Sequence, residues 1–180
     1  MIEFVDSHDP ILTKKTAKID KLTKKQKEHL REMRDKLEQT KDAAAISANQ
    51  LGVNLRAFVC RNGSELLTVI NPSIVWTSLD NPDEIVQDEE GVTPKSVPMW
   101  EGCMSFPGKN YLINRAYSIK VDYMNEKEAY HRVTLTDQWA RLFLHEIDHL
   151  NGMRVSDRAE EVMDLSEDSG GIMPTSEVTR

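Results

Sequence analysis

Residues 136–152 constrain the fold more than any other part of the chain, because they predict an amphipathic helix with a broad apolar face. Thr136 or Asp137 can cap the start of this helix, and the Asn151-Gly152 pair can end it. The apolar residues recur at helical spacing: Ala140, Phe143, Leu144, Ile147 and Leu150. Such a face must be covered, so we expect the helix to be buried against other elements.

Two histidines and a glutamate lie close together within this apolar helix. His145 and His149 are four residues apart and Glu146 lies between them, which is the pattern HExxH. Two imidazoles at this spacing lie on one helical face, where both can bind one metal ion. A metal ion lowers the pKa of a bound water, and a neighbouring carboxylate can then take the proton. The pattern therefore favours a metal-dependent hydrolase; the alternative is that both histidines are hydrogen-bonded structural residues.

A third metal ligand must come from another part of the chain, because catalytic sites usually have three protein ligands and one open position. Cys103 is the candidate, since residues 101–105 form a glycine-containing segment that predicts a compact turn. A thiolate presented there would favour iron or zinc over calcium or magnesium. The other cysteine, Cys60, ends an apolar run and is predicted to be a buried hydrophobic residue.

Outside this candidate site, the sequence predicts one further helix and two hairpins. Thr23 and Gln26 resemble a capping box, and apolar residues recur after them, which predicts a helix over residues 24–39. The turn residues Asn62-Gly63 and the clusters of aromatic and β-branched residues indicate the hairpins. These hairpins pair residues 55–60 with 65–70 and residues 117–123 with 130–135.

Two segments lack such patterns. Residues 80–98 contain prolines and several acidic residues, and they predict a surface loop or insertion. Residues 161–180 are acidic and rich in glycine and serine, and they predict a flexible tail. Residues 1–160 are therefore expected to form a single catalytic domain.

Charge and hydropathy argue against several kinds of partner. The 23 lysines and arginines and 30 aspartates and glutamates give a net charge of −7, whereas nucleic-acid binding usually needs a basic face. Residues 1–10 lack the features of a signal peptide, and no apolar run approaches the length of a membrane span. We therefore expect a cytoplasmic or otherwise soluble intracellular protein, a monomer that binds neither membranes nor nucleic acid directly.

Three segments resemble motifs of the peptide deformylase family. Residues 43–50, AAAISANQ, resemble its GxGxAAxQ segment and retain Ala48 and Gln50. Residues 101–105, EGCMS, resemble its EGCLS motif, and residues 145–152, HEIDHLNG, match its helical motif. The resemblance implies an α+β fold with antiparallel strands around a central metal-binding helix. It also implies hydrolysis of the formyl group from N-formylmethionyl peptides of nascent proteins, with release of formate.

The resemblance also implies a role for each candidate residue. Glu146 becomes the general base and later the proton donor, while the Gln50 side chain and the Met104 backbone N–H become donors to the oxyanion. The metal ligands would be Cys103, His145 and His149. The substrate-binding residues would be Ala43, Ala44, Ala45, Glu101 and Gly102.

The same resemblance suggests which residues orient the metal ligands and which metal ion binds. Asp148 and Glu101 would orient the imidazoles, with Arg115 as a charge partner; the alternative is ordinary surface ion pairs. One divalent ion per chain is implied, natively ferrous iron, with zinc, nickel or cobalt as replacements. Action on nascent chains also implies transient association with the ribosome.

The sequence departs from the family pattern where Ala43 and Ala45 replace the two glycines. If either position needs a positive φ, alanine would strain the segment. The added methyl groups would also reshape the methionine pocket. Two alternatives therefore stay open: a deformylase-like protein with an altered substrate range or without turnover, and an HExxH metallopeptidase, against which the EGCMS segment argues.

Overall fold

The computed structural model describes residues 2–80 and 94–165, together with the backbone of residues 172–174. Within these ranges there are two α-helices, α1 (Lys24–Gln39) and α2 (Asp137–Leu150). The strands are β1 (Ala45–Ser47), β2 (Ala57–Asn62), β3 (Glu65–Thr77), β4 (Ser96–Gly102), β5 (Lys109–Ala116), β6 (Ser118–Met124), β7 (Tyr130–Thr136), β8 (Glu161–Asp164) and β9 (Ile172–Pro174). Short 3-10 helices span Pro10–Thr13, Ala48–Leu51 and Val155–Asp157.

The strands form two antiparallel sheets. The first has the order β1-β2-β3-β6-β7, and the second has the order β4-β5-β8-β9. Helix α2 contacts β1, β6 and β7 of the first sheet and β5 of the second. The predicted α+β class is confirmed, and the buried face of α2 packs into a cluster with Phe58 of β2 and Val121 of β6.

Helix α1 and both hairpins agree with the sequence prediction. The Thr23 hydroxyl accepts a hydrogen bond from the Gln26 N–H at 3.2 Å, and the Gln26 side chain accepts one from the Thr23 N–H at 3.0 Å. This capping box fixes the start of α1, whose apolar stripe is buried against β2 and β3. Strands β2 and β3 form the first predicted hairpin, and β6 and β7 form the second.

The second sheet is not predicted by the sequence. The loop prediction for residues 80–98 is wrong at its end, because β4 begins at Ser96; residues 81–93 lie outside the described residues. The turn prediction for residues 101–105 is wrong for Glu101 and Gly102, which end β4 and pair with β5. Pro98 is tolerated in β4 because this strand lies at the edge of its sheet.

Part of the predicted tail also belongs to the second sheet. Strand β8, Glu161–Asp164, pairs with β5, and Val162 on β8 is buried beside Tyr111 and Val155. Two apolar residues between acidic ones are a weak signal, so the sequence does not predict this strand. The second sheet therefore includes residues beyond 160; residues 166–171 and 175–180 of the predicted tail lie outside the described residues. Among the described residues, neither helix has the length and hydrophobicity that crossing a bilayer requires.

Replacing Gly152 with alanine is expected to lower the free energy of unfolding by about 2–4 kcal/mol. Gly152 has a φ of +75°, and a Cβ there would lie 2.7 Å from the backbone carbonyl of Thr13. Gly63→Ala is a matched control, because Gly63 has a φ of +62° but nothing within 4 Å of an added Cβ. Urea unfolding should show a loss of only about 1 kcal/mol for that control. Equal losses would mean that the contact with Thr13 does not matter.

Candidate metal centre

Three potential metal ligands meet beside α2. The helix supplies His145 and His149 one turn apart, and Cys103 directly follows the end of β4. The Cys103 Sγ lies 3.3 Å from the His149 Nε2, and the two histidine Nε2 atoms are 3.2 Å apart. One donor atom from each residue lies within 4.8 Å of the other two. These are the three residues that the sequence analysis selects.

The spacing of these donors fits a metal ion. With metal–nitrogen bonds of roughly 2.1 Å and metal–sulfur bonds of roughly 2.3 Å, tetrahedral ligand atoms lie about 3.3–3.6 Å apart. The observed separations of 3.2 and 3.3 Å are close to this range. A sulfur and two imidazole nitrogens suit a transition metal rather than calcium or magnesium.

The electrostatics of the two imidazoles differ. Burial lowers the pKa of His145, but its contacts with Cys103 and Glu101 outweigh burial and raise the pKa to about 10. Burial, and then the neighbouring His145, lower the pKa of His149 well below its ordinary value. A neutral His149 can offer its nitrogen lone pair, which metal binding requires.

Glu101 holds His145 in place. The His145 Nδ1–H donates a hydrogen bond to the Glu101 carboxylate at 2.8 Å, which leaves Nε2 directed at the other ligand atoms. Arg115 binds the same carboxylate with two hydrogen bonds, of 2.6 and 3.0 Å. Burial alone would raise the pKa of Glu101, but the hydrogen bonds from His145 and Arg115 hold it at about 2. Glu101 is therefore a buried, charged support for the imidazole.

A chain of ion pairs continues behind Glu101. Arg115 also donates to Asp148 at 2.8 Å, and Arg158 donates to the other oxygen of Asp148 at 2.8 Å. Arg141 donates to Glu101 at 2.5 Å. From the sequence, we expect Asp148 to orient an imidazole. Within the described residues, the Asp148 carboxylate instead accepts hydrogen bonds from Arg115 and Arg158. Arg115 is the partner of both carboxylates rather than one, and this network is buried rather than superficial.

Glu146 lies on α2 beside the ligands and is 4% exposed. The Ser47 hydroxyl donates a hydrogen bond to its Oε2 at 2.5 Å. Burial raises the pKa of Glu146, although His145 and the Ser47 hydroxyl favour the charged form. Cys60 is fully buried, as predicted, and burial and then Glu146 raise the pKa of its thiol to about 12. Glu146, a buried carboxylate beside the potential metal ligands, is therefore a candidate for proton transfer.

The side-chain amide nitrogen of Gln50 points toward the potential metal ligands. Its Oε1 accepts a hydrogen bond from the Ser47 N–H at 2.8 Å. Its Nε2 lies 3.1 Å from the Ser105 hydroxyl and 3.9 Å from the Cys103 Sγ. The donating end of this amide therefore faces the metal ligands. Met104 is 37% exposed at the rim of the same cleft.

A cleft of about 860 Å³ opens onto these groups. Its two long walls are the chain from Asp42 to Ala45 and the chain from Trp100 to Met104, and α2 closes the third side. All five residues predicted to bind substrate line it: Ala43, Ala44, Ala45, Glu101 and Gly102. The cleft therefore lies between the segment that resembles the family's first motif and the segment that holds Cys103.

The alanines that replace the family's glycines are not strained. Among the described residues, the non-glycine residues with positive φ are Asn71, Glu128 and Asp137. Ala43 and Ala45 therefore have ordinary negative φ values, and the hypothesis of strain is wrong. Their methyl groups remain as a change in the wall of the cleft.

Comparison with known proteins agrees with this geometry. The sequence profile of the family described as polypeptide deformylase matches residues 1–164. The chain belongs to the peptide deformylase family. It is 33% identical over 150 residues to the peptide deformylase of Thermotoga maritima, covering 83% of this chain and 82% of the relative. It is 31% identical over 157 residues to peptide deformylase 2 of Clostridium acetobutylicum, covering 86% of this chain and 93% of the relative.

Solved structures of deformylases share the fold. The crystal structure of the Thermotoga maritima enzyme has a TM-score of 0.75 and 31% identity, covering 88% of this chain and 97% of that one. A Plasmodium falciparum peptide deformylase in complex with an inhibitor has a TM-score of 0.72 and 27% identity, covering 87% of this chain and 88% of that one. Members of this family are metal-dependent hydrolases. In this chain, the candidate metal centre lies beside the cleft described above.

Three residues near the candidate metal centre are missed by sequence reasoning. Ser47 stands at the first of the family's paired alanines, and only the fold brings its hydroxyl to Glu146. Arg141 is a charged residue one turn before His145 on the apolar helix, which is a signal that could have marked it. Arg158 follows the helix in a polar segment, and nothing in the local pattern indicates its contact with Asp148.

Proposed function

We propose that this protein removes the formyl group from N-formylmethionyl peptides by metal-dependent hydrolysis. The observation that carries the proposal is the convergence of three metal ligands, the Glu146 carboxylate and the Gln50 amide at one end of a peptide-sized cleft. Membership of the peptide deformylase family supports the same reaction. The third ligand is a cysteine from outside the helix, so the metallopeptidase alternative is not carried forward.

We propose one divalent ion per chain, bound by Cys103, His145 and His149. Ferrous iron is the proposed native ion, with zinc, nickel or cobalt as replacements. Such an ion would polarise the formyl carbonyl as a Lewis acid and lower the pKa of a water molecule. The soft thiolate and the two imidazoles support a transition metal, and the choice of iron rests on the resemblance to the family.

The protein side chains would handle the proton and the developing charge. Glu146 would accept a proton from the attacking water and return it to the amine that leaves, so its carboxylate is regenerated in each turnover. The Gln50 Nε2–H and the Met104 backbone N–H would donate hydrogen bonds to the carbonyl oxygen as it becomes negative. The Ser47 N–H supports this role, since it fixes the orientation of the Gln50 amide.

The substrate would bind along β1. This strand is at the edge of the first sheet, and the Arg61 N–H donates to the Ala44 carbonyl at 2.9 Å. Neighbouring residues of an antiparallel strand direct their backbone groups to opposite sides. The Ala45 N–H and C=O therefore face away from β2, where an extended peptide can pair with them.

In the cell, the proposed substrates are nascent chains that still carry formylmethionine. The protein would therefore act in the compartment of translation, in transient association with the ribosome. We also propose that it is a monomer. The methyl groups of Ala43 and Ala45 narrow the cleft relative to glycine, so we propose a substrate range that differs from that of relatives with the glycines.

Formate release tests the proposal directly. Protein purified anaerobically and loaded with ferrous iron is incubated with formyl-Met-Ala-Ser, and acetyl-Met-Ala-Ser serves as the control. The expected result is formate from the first peptide at about 1 per second or faster and no acetate from the second. Protein with one bound ion per chain that releases no formate would rule out the proposed function for this substrate.

A further inference from the structure

Ser47 contacts both of the side chains proposed to act in catalysis. It ends β1, it is fully buried, and its N–H donates to the Gln50 side chain at 2.8 Å. Its hydroxyl donates to the Glu146 Oε2 at 2.5 Å and lies 3.2 Å from the Glu146 carbonyl oxygen. One residue thus touches the proposed base and the proposed oxyanion donor from the same side of the cleft.

The two contacts of Ser47 differ in what they require. Any residue other than proline supplies the backbone N–H that orients Gln50, whereas the contact with Glu146 needs a hydroxyl. A hydroxyl has a single proton, and the carboxylate is both the nearer and the more strongly charged acceptor. Within the described residues, Oε2 is the Glu146 oxygen that accepts a hydrogen bond, so Oε1 is left for a reacting group.

We propose that the Ser47 hydroxyl is a positioning group that holds the Glu146 carboxylate in one rotamer, with Oε1 turned toward the metal ligands. This inference rests on the proposed function. The family motif has alanine at this position, so the contact is a feature of this chain and not of the motif. The hydroxyl keeps its own proton throughout, and the proton transferred in the reaction passes through Oε1.

Burial makes this restraint effective. Both partners are largely shielded from bulk solvent, since Ser47 is 0% and Glu146 4% exposed. A charged hydrogen bond in such a place fixes the geometry more firmly than one at the surface. Without it, the carboxylate can turn away from the position in which proton transfer is fastest, and small misplacements lower turnover strongly.

Ser47→Ala and Ser47→Thr test the proposal in metal-loaded protein. The alanine variant is expected to lose about tenfold in kcat with little change in KM, and the threonine variant, which keeps the hydroxyl, is expected to recover most of it. Ser118→Ala is the matched control, because the Ser118 hydroxyl is buried without a hydrogen-bond partner in the described part of the chain. That control should leave kcat and the metal content unchanged.

Crystal structures of the loaded variants supply a readout that does not depend on turnover. Glu146 should occupy one conformer in the wild type and in Ser47→Thr, and more than one in Ser47→Ala. If wild-type protein releases no formate, the proposed function fails, and the conformers alone decide the role of Ser47. A single unchanged Glu146 conformer in Ser47→Ala overturns the proposal, as does a loss of kcat that threonine does not restore.

Discussion

Replacing Glu146 with glutamine is expected to lower kcat for formyl-Met-Ala-Ser by about 10²–10⁴-fold while one metal ion per chain stays bound. Glutamine has the same shape and its carbonyl oxygen can still accept the hydrogen bond from Ser47. It cannot take a proton from water near neutral pH, which is the step assigned to Glu146. The measurement combines steady-state formate release with metal analysis of the same protein sample.

A control separates this effect from a general change in charge. Glu65→Gln removes an exposed carboxylate at the start of β3, outside the walls of the cleft, and should leave kcat unchanged. Glu146→Gln protein that keeps its metal and more than roughly a tenth of wild-type turnover would contradict the role of general base. Loss of the metal together with turnover would instead assign Glu146 to the stability of the centre.

Replacing Arg115 with methionine is expected to lower the free energy of unfolding by about 3–5 kcal/mol. The Arg115 side chain is 4% exposed and joins two carboxylates, Glu101 and Asp148, that are almost as buried. Removing the cation leaves both negative charges close together in the protein interior. Methionine fills a similar volume, so the loss reports the missing charge rather than a cavity. Chemical unfolding of metal-loaded protein, followed by circular dichroism, measures it.

Arg158→Met is the matched control for this prediction. Arg158 binds Asp148 as well, but its side chain is 46% exposed, so water screens the pair. The expected loss is at most about 1 kcal/mol. If the two variants lose the same stability, the buried network does not contribute beyond ordinary surface ion pairing. Arg115→Met should also weaken metal retention, because Glu101 would hold His145 less firmly.

The parts of the fold that local patterns encode could be predicted from the sequence. The α1 capping box, the apolar face of α2 and the two hairpins depend on residues that are close along the chain. The second sheet could not, because β8 pairs with β5 although β6, β7 and α2 lie between them along the chain, and because its strands contain features that usually argue against a strand. Pro98 in β4 and the acidic residues of β8 are examples, and Pro98 is tolerated because β4 is an edge strand.

The candidate site divides in the same way. His145, Glu146 and His149 are fixed relative to each other by the helical repeat, and the motif around Cys103 identifies the third ligand. The hydroxyl of Ser47 reaches a carboxylate 99 residues away, and that contact depends on how β1 packs against α2. Sequence spacing carries no information about such a contact, so only the structure reveals it.

The position of Cys103 ties the proposed ion to the integrity of the whole domain. The cysteine follows the edge strand of one sheet, while both histidines belong to the helix that also contacts the other sheet. An ion bound by all three would add a further cross-link between the second sheet and α2, beside the hydrogen bonds that Glu101 makes with His145 and Arg141. Because such an ion binds the folded chain and not the unfolded one, it stabilises the fold in proportion to its occupancy. We therefore expect the chain without the ion to open more often and to be more exposed to proteolysis, so that metal supply would affect the amount of the protein.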